Sequence, residues 1–367
     1  GPVNRTLYRV KLNGKGKERL SDAEGWSSVN ASPSLDKYIL THNSANTPSV
    51  VTINNYKGEV LDTICDMSKA ELKGYVAPKI FKEYINPTGD TLLYYVQYPK
   101  DFDPQKKYPV IIYFYERNSE TLFAPRSPAP SASTVNIPYF VSNEYIVFVP
   151  DIRYKDGHPG KSCLNYIMPG CDMLCEYPWI DGDNMAIQGQ SWGGYQVAYM
   201  ITQTGRFKAA GAAVSNMTSA YGGIRWESGV ARTAQYEKGQ SRIGKDLWEG
   251  FDLYVENSPL FYVPNVTTPV LIMHNDQDGA VPWWQGIEFF NALRRCGKQA
   301  WMLQYNDEAH NLKERRNRKD LSIRLEQFFG HFLKGEPMPV WMSKGVPATL
   351  KGIDYGFEKD EFPTDNQ

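Results

Sequence analysis

The chain has 367 residues, enough for one large domain and a smaller piece, and its 41% hydrophobic and 22% charged residues exclude a disordered or fibrous protein. A formal net charge of -1 offers no basic surface for nucleic acid or an anionic membrane. No apolar run is long enough to cross a bilayer, and the opening Gly1-Pro2 without methionine looks like a tag-cleavage scar, so the lack of a signal peptide carries no weight.

Residues 1–75 read as β structure. Leu7–Leu12, Lys37–His42, Ser49–Asn54 and Val60–Ile64 are short strand patterns, punctuated by Asn13-Gly14, Ser34–Lys37 and Lys57-Gly58. Four antiparallel strands make one propeller blade, and a single blade leaves open edges and little core. The segment is therefore expected to be the last blade of a propeller that lies mostly upstream.

From about residue 78 the pattern changes. Lys79–Tyr84 and Thr91–Tyr98 suggest antiparallel strands, and Val110–Tyr115 and Ile146–Pro150 are apolar runs of buried-strand length. Met185–Gln188, Ala209–Val214, Val270–His274 and Ala300–Tyr305 follow, with helical patterns over 194–204, 284–296 and 319–333. Alternation of strand and helix predicts an α/β domain over 76–335 with a mostly parallel sheet. Pro337, Pro339, Pro347 and Pro363 make 336–367 an extended tail, expected to wrap the domain surface and end loosely. Of the five cysteines, Cys163, Cys171 and Cys175 cluster, but their spacing fits no zinc pattern; structural cysteines or one local disulfide are expected, and no metal.

Gly189-Gln190-Ser191-Trp192-Gly193 stands between a strand pattern and a helix pattern. It matches the G-x-S-x-G nucleophile elbow of α/β hydrolases, in which a strained turn exposes a serine at a helix N-terminus. Such a serine needs a base, and the base a carboxylate, in the chain order Ser, Asp or Glu, His. Two loops after buried strands qualify: His274-Asn275-Asp276-Gln277-Asp278-Gly279, and Asn306-Asp307-Glu308-Ala309-His310. His310 has the right order and a strand-end position. His42, His158, His274 and His331 fall in other contexts. Asp278 is the expected carboxylate, with Asp276 and Asp307 as rivals. The backbone N–H of Trp192 is one expected oxyanion donor. The loop Tyr113-Phe114-Tyr115-Glu116-Arg117 lacks the HGGG pattern, and the Tyr115 hydroxyl is the expected second donor.

These residues carry a resemblance over nearly the whole chain. It resembles the C-terminal, catalytic part of the prolyl oligopeptidase family (S9) of serine peptidases, close to the dipeptidyl peptidase IV-like branch. Gly189-Gln190-Ser191-Trp192-Gly193-Gly194-Tyr195 is similar to the family's G-x-S-x-G-G-Y, and His274 to Val281 to its H-G-x-x-D-x-x-V, with Asn275 for glycine. That correspondence selects Asp278 over Asp276, and Asp307 to His310 is similar to the histidine loop. Tyr115 falls where the branch carries its oxyanion tyrosine. The resemblance implies an α/β-hydrolase fold and a Ser191–His310–Asp278 triad that needs no cofactor. It also implies short peptide substrates gated by an N-terminal propeller in the same chain, a possible homodimer, and an envelope, periplasmic or secreted setting.

Trp192, Val214, Met217 and Val281 are the substrate-pocket residues it implies. Met217 and Ala220 stand where the branch has aromatic pocket residues, and Ala280 where asparagine is expected. A methionine-lined pocket suits varied apolar side chains; Arg225 and Arg232 keep an acidic side chain as an alternative. An esterase or acyl-peptide hydrolase is the second enzymatic reading, and an inactive interaction module the third, because one fold serves many functions.

Overall fold

The structure, a computed structural model, describes residues 4–69, 79–121, 123, 126, 128–212 and 231–361. At the amino end β1 (Tyr8–Arg9) pairs with β2 (Glu18–Arg19) in a small antiparallel sheet. The next four strands, β3 (Trp26–Ala31), β4 (Lys37–Asn43), β5 (Val50–Asn55) and β6 (Val60–Asp66), form an antiparallel meander in chain order. Its first strand is thus Trp26–Ala31, not the Leu7–Leu12 pattern expected from sequence. Val10 and Leu12 have no face to bury and stand exposed, whereas polar Ser27 is buried and bonded to His42 Nδ1 at 2.9 Å. At the far edge, Val60, Leu61 and Ile64 of β6 are exposed. Asn46 ties the meander to the next sheet by accepting from the Lys79 N–H (2.8 Å), and Asn43 Nδ2 donates to the Phe123 carbonyl.

Strands β7 (Lys79–Ile85), β8 (Thr91–Gln97), β9 (Tyr108–Tyr113), β10 (Ile146–Pro150), β11 (Ile180–Gly189), β12 (Ala209–Ala212), β13 (Val270–Met273) and β14 (Ala300–Leu303) form the main sheet. Their order is β14-β13-β12-β11-β9-β10-β8-β7. The six strands from β14 to β10 run parallel, and β8 and β7 add antiparallel at one edge. β9 and β10 are buried along their whole length, as apolar strands in a sheet covered on both faces must be.

Side chains alternate across the sheet and make two cores. Val110 and Ile112 face one core with the helices Pro159–Cys175, Trp192–Gln203 and Trp283–Arg295. Ile111 and Tyr113 face the other, with Ile137–Ser142 and Arg315–Lys334. The carboxyl-terminal stretch is more than a surface wrap. Trp341 and Met342 are buried in the second core, and Trp301 Nε1 donates to the Met342 carbonyl (2.8 Å). Residues beyond 361 lie outside the described set. All five cysteines are free, so no local disulfide forms; Cys163 and Cys171 are buried, and burial pushes the Cys171 thiol up to about 12.

Candidate active site

Because β9 to β14 are parallel, their carboxyl ends share one edge of the sheet, where ligands of open α/β sheets gather. β11 ends at that edge in the elbow. Ser191 has φ 58° and ψ -118°, a left-handed conformation that a side chain rarely adopts. The flanking glycines are forced by close approach. A Cβ on Gly189 would stand 2.5 Å from the Gly193 backbone, and one on Gly193 2.5 Å from the Phe114 carbonyl oxygen. The second contact presses the helix Trp192–Gln203 against the end of β9 and brings Tyr115 beside it. Trp192 is the first helical residue, so its N–H has no partner within the helix.

The loops after β13 and β14 bring Asp278 and His310 together. His310 Nδ1 donates to Asp278 Oδ2 at 2.8 Å. Asp278 Oδ1 accepts from the backbone N–H groups of Ala280 (2.9 Å) and Val281 (2.8 Å). His274 Nε2 lies 3.4 Å from Asp278 Oδ2 and 3.0 Å from the Val281 carbonyl, while its Nδ1 is buried without a hydrogen-bond partner. The His274 proton therefore sits on Nε2. Burial alone would raise the Asp278 pKa. Hydrogen bonds from His274 and His310, the nearby His310 charge and the Val281 N–H outweigh it and hold the carboxyl well below its ordinary value.

The rival carboxylates have other work. Asp276 Oδ1 accepts from the Asp307 N–H (2.9 Å), and Asp307 is a turn residue with φ 62°. His158 pairs with Glu256 (2.7 Å) and His331 Nδ1 donates to the Glu336 carbonyl (2.7 Å). Asn275, the residue in place of glycine, bridges the two loops: its Nδ2 donates to the Ala309 carbonyl at 2.7 Å, next to His310. Gln190 Nε2 reaches the His310 carbonyl at 3.3 Å and ties the elbow to the same loop. Among the described residues no hydrogen bond joins Ser191 Oγ to the His310 ring; such bonds commonly tighten only when substrate is bound.

Tyr115 lies in a closed circuit of contacts that no local pattern in the sequence announces. Gln196 Nε2 donates to the Tyr115 carbonyl (2.6 Å), and Gln196 Oε1 accepts from the Tyr154 hydroxyl (2.7 Å). Trp192 Nε1 donates to the same hydroxyl (3.2 Å), whose pKa burial pushes well above its ordinary value. The Arg242 guanidinium lies 4.4 Å over the Tyr154 ring and pairs with Glu116. Gln240 Nε2 then donates to Glu116 Oε2 (3.1 Å) and to Tyr115 Oη (3.5 Å).

The implied substrate pocket is only partly in view. Val281 is buried within the Asp278 loop. Val214, Met217, Ala220 and Arg225 lie outside the described residues. Arg232 is buried, donates to the Ala280 carbonyl and bonds Gln235 Oε1 at 3.1 Å, so it buttresses the Asp278 loop.

A parallel-sheet hydrolase with a nucleophile elbow and a His–Asp pair at its carboxyl edge is the class that fold and site define. Residues 130–336 match the sequence profile of the prolyl oligopeptidase family, and the chain belongs to that family, peptidase family S9. Dipeptidyl-peptidase 5 of Porphyromonas gingivalis is 26% identical over 276 residues, 70% of this chain and 38% of that protein. The uncharacterized peptidase YuxL of Bacillus subtilis is 29% identical over 167 residues, 45% of this chain and 24% of that protein. Among solved structures, Porphyromonas gingivalis dipeptidyl peptidase 4 matches with a TM-score of 0.75 and 24% identity over 90% of this chain and 47% of that one. The acylaminoacyl peptidase of Pyrococcus horikoshii matches with a TM-score of 0.71 and 18% identity, over 91% of this chain and 53% of that one. The chain thus spans about half the length of these solved relatives and less of the curated ones.

Proposed function

We propose that the chain is the catalytic part of a serine peptidase that cleaves short peptides through an acyl-enzyme. The observation that carries this is the 2.8 Å His310–Asp278 bond, set in loops that follow the Ser191 elbow in the required order. Ser191 Oγ attacks the scissile carbonyl while His310 Nε2 takes its proton. Asp278 fixes the imidazole with Nδ1 protonated and balances the charge it gains. The Trp192 N–H and the Tyr115 hydroxyl hold the oxyanion. The proton passes from His310 to the leaving amine, and water then releases the acyl group by the reverse sequence. The dipeptidyl-peptidase names among the relatives favour release of dipeptides, and the acylaminoacyl peptidase likeness makes blocked amino ends the second choice. In the same reading β3 to β6 are the last blade of a substrate-gating propeller. Ser191→Ala is expected to abolish fluorophosphonate labelling without loss of Tm. A variant that labels as strongly as wild type removes Ser191 from the mechanism.

A further inference from the structure

The contacts around Tyr115 fix the direction of its hydroxyl. Glu116 is the hinge. One carboxylate oxygen pairs with the Arg242 guanidinium, and the other accepts from Gln240 Nε2 at 3.1 Å. A carboxylate only accepts, so the Gln240 amide must turn its NH₂ end toward Glu116. That same NH₂ is the group facing Tyr115 Oη, at 3.5 Å. Arg242 holds the arrangement from below, because it also donates to the Gln240 carbonyl and lies over the Tyr154 ring. Arg242 itself sits at φ 53°, a conformation that costs a side-chain-bearing residue energy and persists where surrounding contacts over-determine it. Here those contacts are Glu116, the Tyr154 ring, the Gln240 carbonyl, and the Gly157 N–H that donates to the Arg242 carbonyl at 2.6 Å.

A phenol has one proton to give and lone pairs to receive. With an amide N–H aimed at its oxygen, the Tyr115 hydroxyl receives on that side, and its own proton must point elsewhere. Among the described residues nothing accepts that proton. The Tyr115 backbone is fixed independently by Gln196, bonded to its carbonyl, and by Gly193, which leaves so little room that a Cβ there would stand 3.3 Å from the Tyr115 Cα.

We propose that Gln240, clamped by Glu116 and Arg242, is a positioning residue that occupies the acceptor side of the Tyr115 hydroxyl and so commits that hydroxyl's proton to the oxyanion. This rests on the role given above to Tyr115. Gln240 touches no reacting atom; it acts through Tyr115 alone, and its effect must vanish when the hydroxyl is gone.

The test is a double-mutant cycle on the second-order rate of fluorophosphonate labelling, with kcat and KM for p-nitrophenyl acetate measured beside it. Gln240→Met removes the donor and is expected to slow labelling about tenfold, the worth of one modest hydrogen bond, in kcat rather than KM. Gln240→Glu puts an acceptor where the donor was, captures the Tyr115 proton, and is expected to slow it more. In a Tyr115→Phe background neither change has a further effect. Equal effects of Gln240→Met with and without the Tyr115 hydroxyl overturn the proposal, as does a Gln240→Glu variant faster than Gln240→Met. A Tyr115→Phe variant that labels at the wild-type rate instead removes the oxyanion role of Tyr115. Labelling of Ser191→Ala removes the serine mechanism. The three failures are therefore distinguishable. Melting curves of each variant separate a slow folded enzyme from an unfolded one.

Discussion

At the scale of single residues the site turns on how Asp278 is surrounded. Four donors converge on its two oxygens: two backbone N–H groups, His310 and His274. Asp278→Asn removes the acceptor that fixes the His310 tautomer, and kcat is expected to fall by about 10⁴ with the fold intact. The pH dependence of stability follows from the depressed pKa. A carboxyl whose folded pKa lies below its unfolded value stabilises fully above that unfolded value. Its contribution is lost as pH falls toward the folded one. Between about pH 4 and pH 2 wild type gives up stability that Asp278→Asn never had. Their Tm values, measured through that range, are expected to converge; parallel curves would mean that Asp278 is not held ionised. The residues that carry this much were legible in the chain. Ser191, Asp278 and His310 each sit in a short motif at a strand end, and a motif is local. Gln196, Tyr154, Gln240 and Arg242 were not, because each matters only through a partner from a distant stretch. Asn275 was visible as a departure, but the bridge it makes to Ala309 appears only when two loops meet.

At the scale of elements, the elbow helix and the end of β9 set the distance between Ser191 and Tyr115, the proposed nucleophile and oxyanion donor. Gly193 permits that distance. Gly193→Ala brings a methyl within 2.5 Å of the rigid Phe114 carbonyl, so the helix must move away from β9. Forced overpacking of this kind costs about 1–3 kcal/mol. Labelling is expected to slow along with a fall in Tm, because the Trp192 N–H and Tyr115 separate together. A Tm loss with unchanged labelling would show the two donors to be placed independently. Element prediction succeeded where burial and period agreed: Ile146–Pro150 was expected and found with the same ends. It failed at two kinds of place. The helix Pro159–Cys175 carries Pro169 in its interior, which breaks the helical pattern on paper although packing holds the helix together. Trp26–Ala31 hides its strand character because the residue it buries is a serine.

At the scale of the whole molecule, the turns, loops and helix start around the main sheet hold every residue proposed to act, and the meander supplies no residue to the proposed triad. The meander's proposed contribution is to gate. The chain described here should therefore cut long and short peptides at similar kcat/KM, whereas the protein carrying a complete propeller should cut only short ones. A ladder of peptides digested by both and read by mass spectrometry decides this, and identical length limits would leave the propeller no gating role. The sheet order has a further consequence for how the protein is made. β11 lies mid-sheet and leads into the turn that holds Ser191, but Asp278 and His310 wait in the loops after β13 and β14, the last two strands among the described residues and the outermost on that side. A growing polypeptide that has emerged as far as β12 already holds Ser191, the proposed nucleophile, but not His310, its proposed base. In the proposed mechanism, synthesis would arm the serine last, once the loop after the edge strand β14 has emerged.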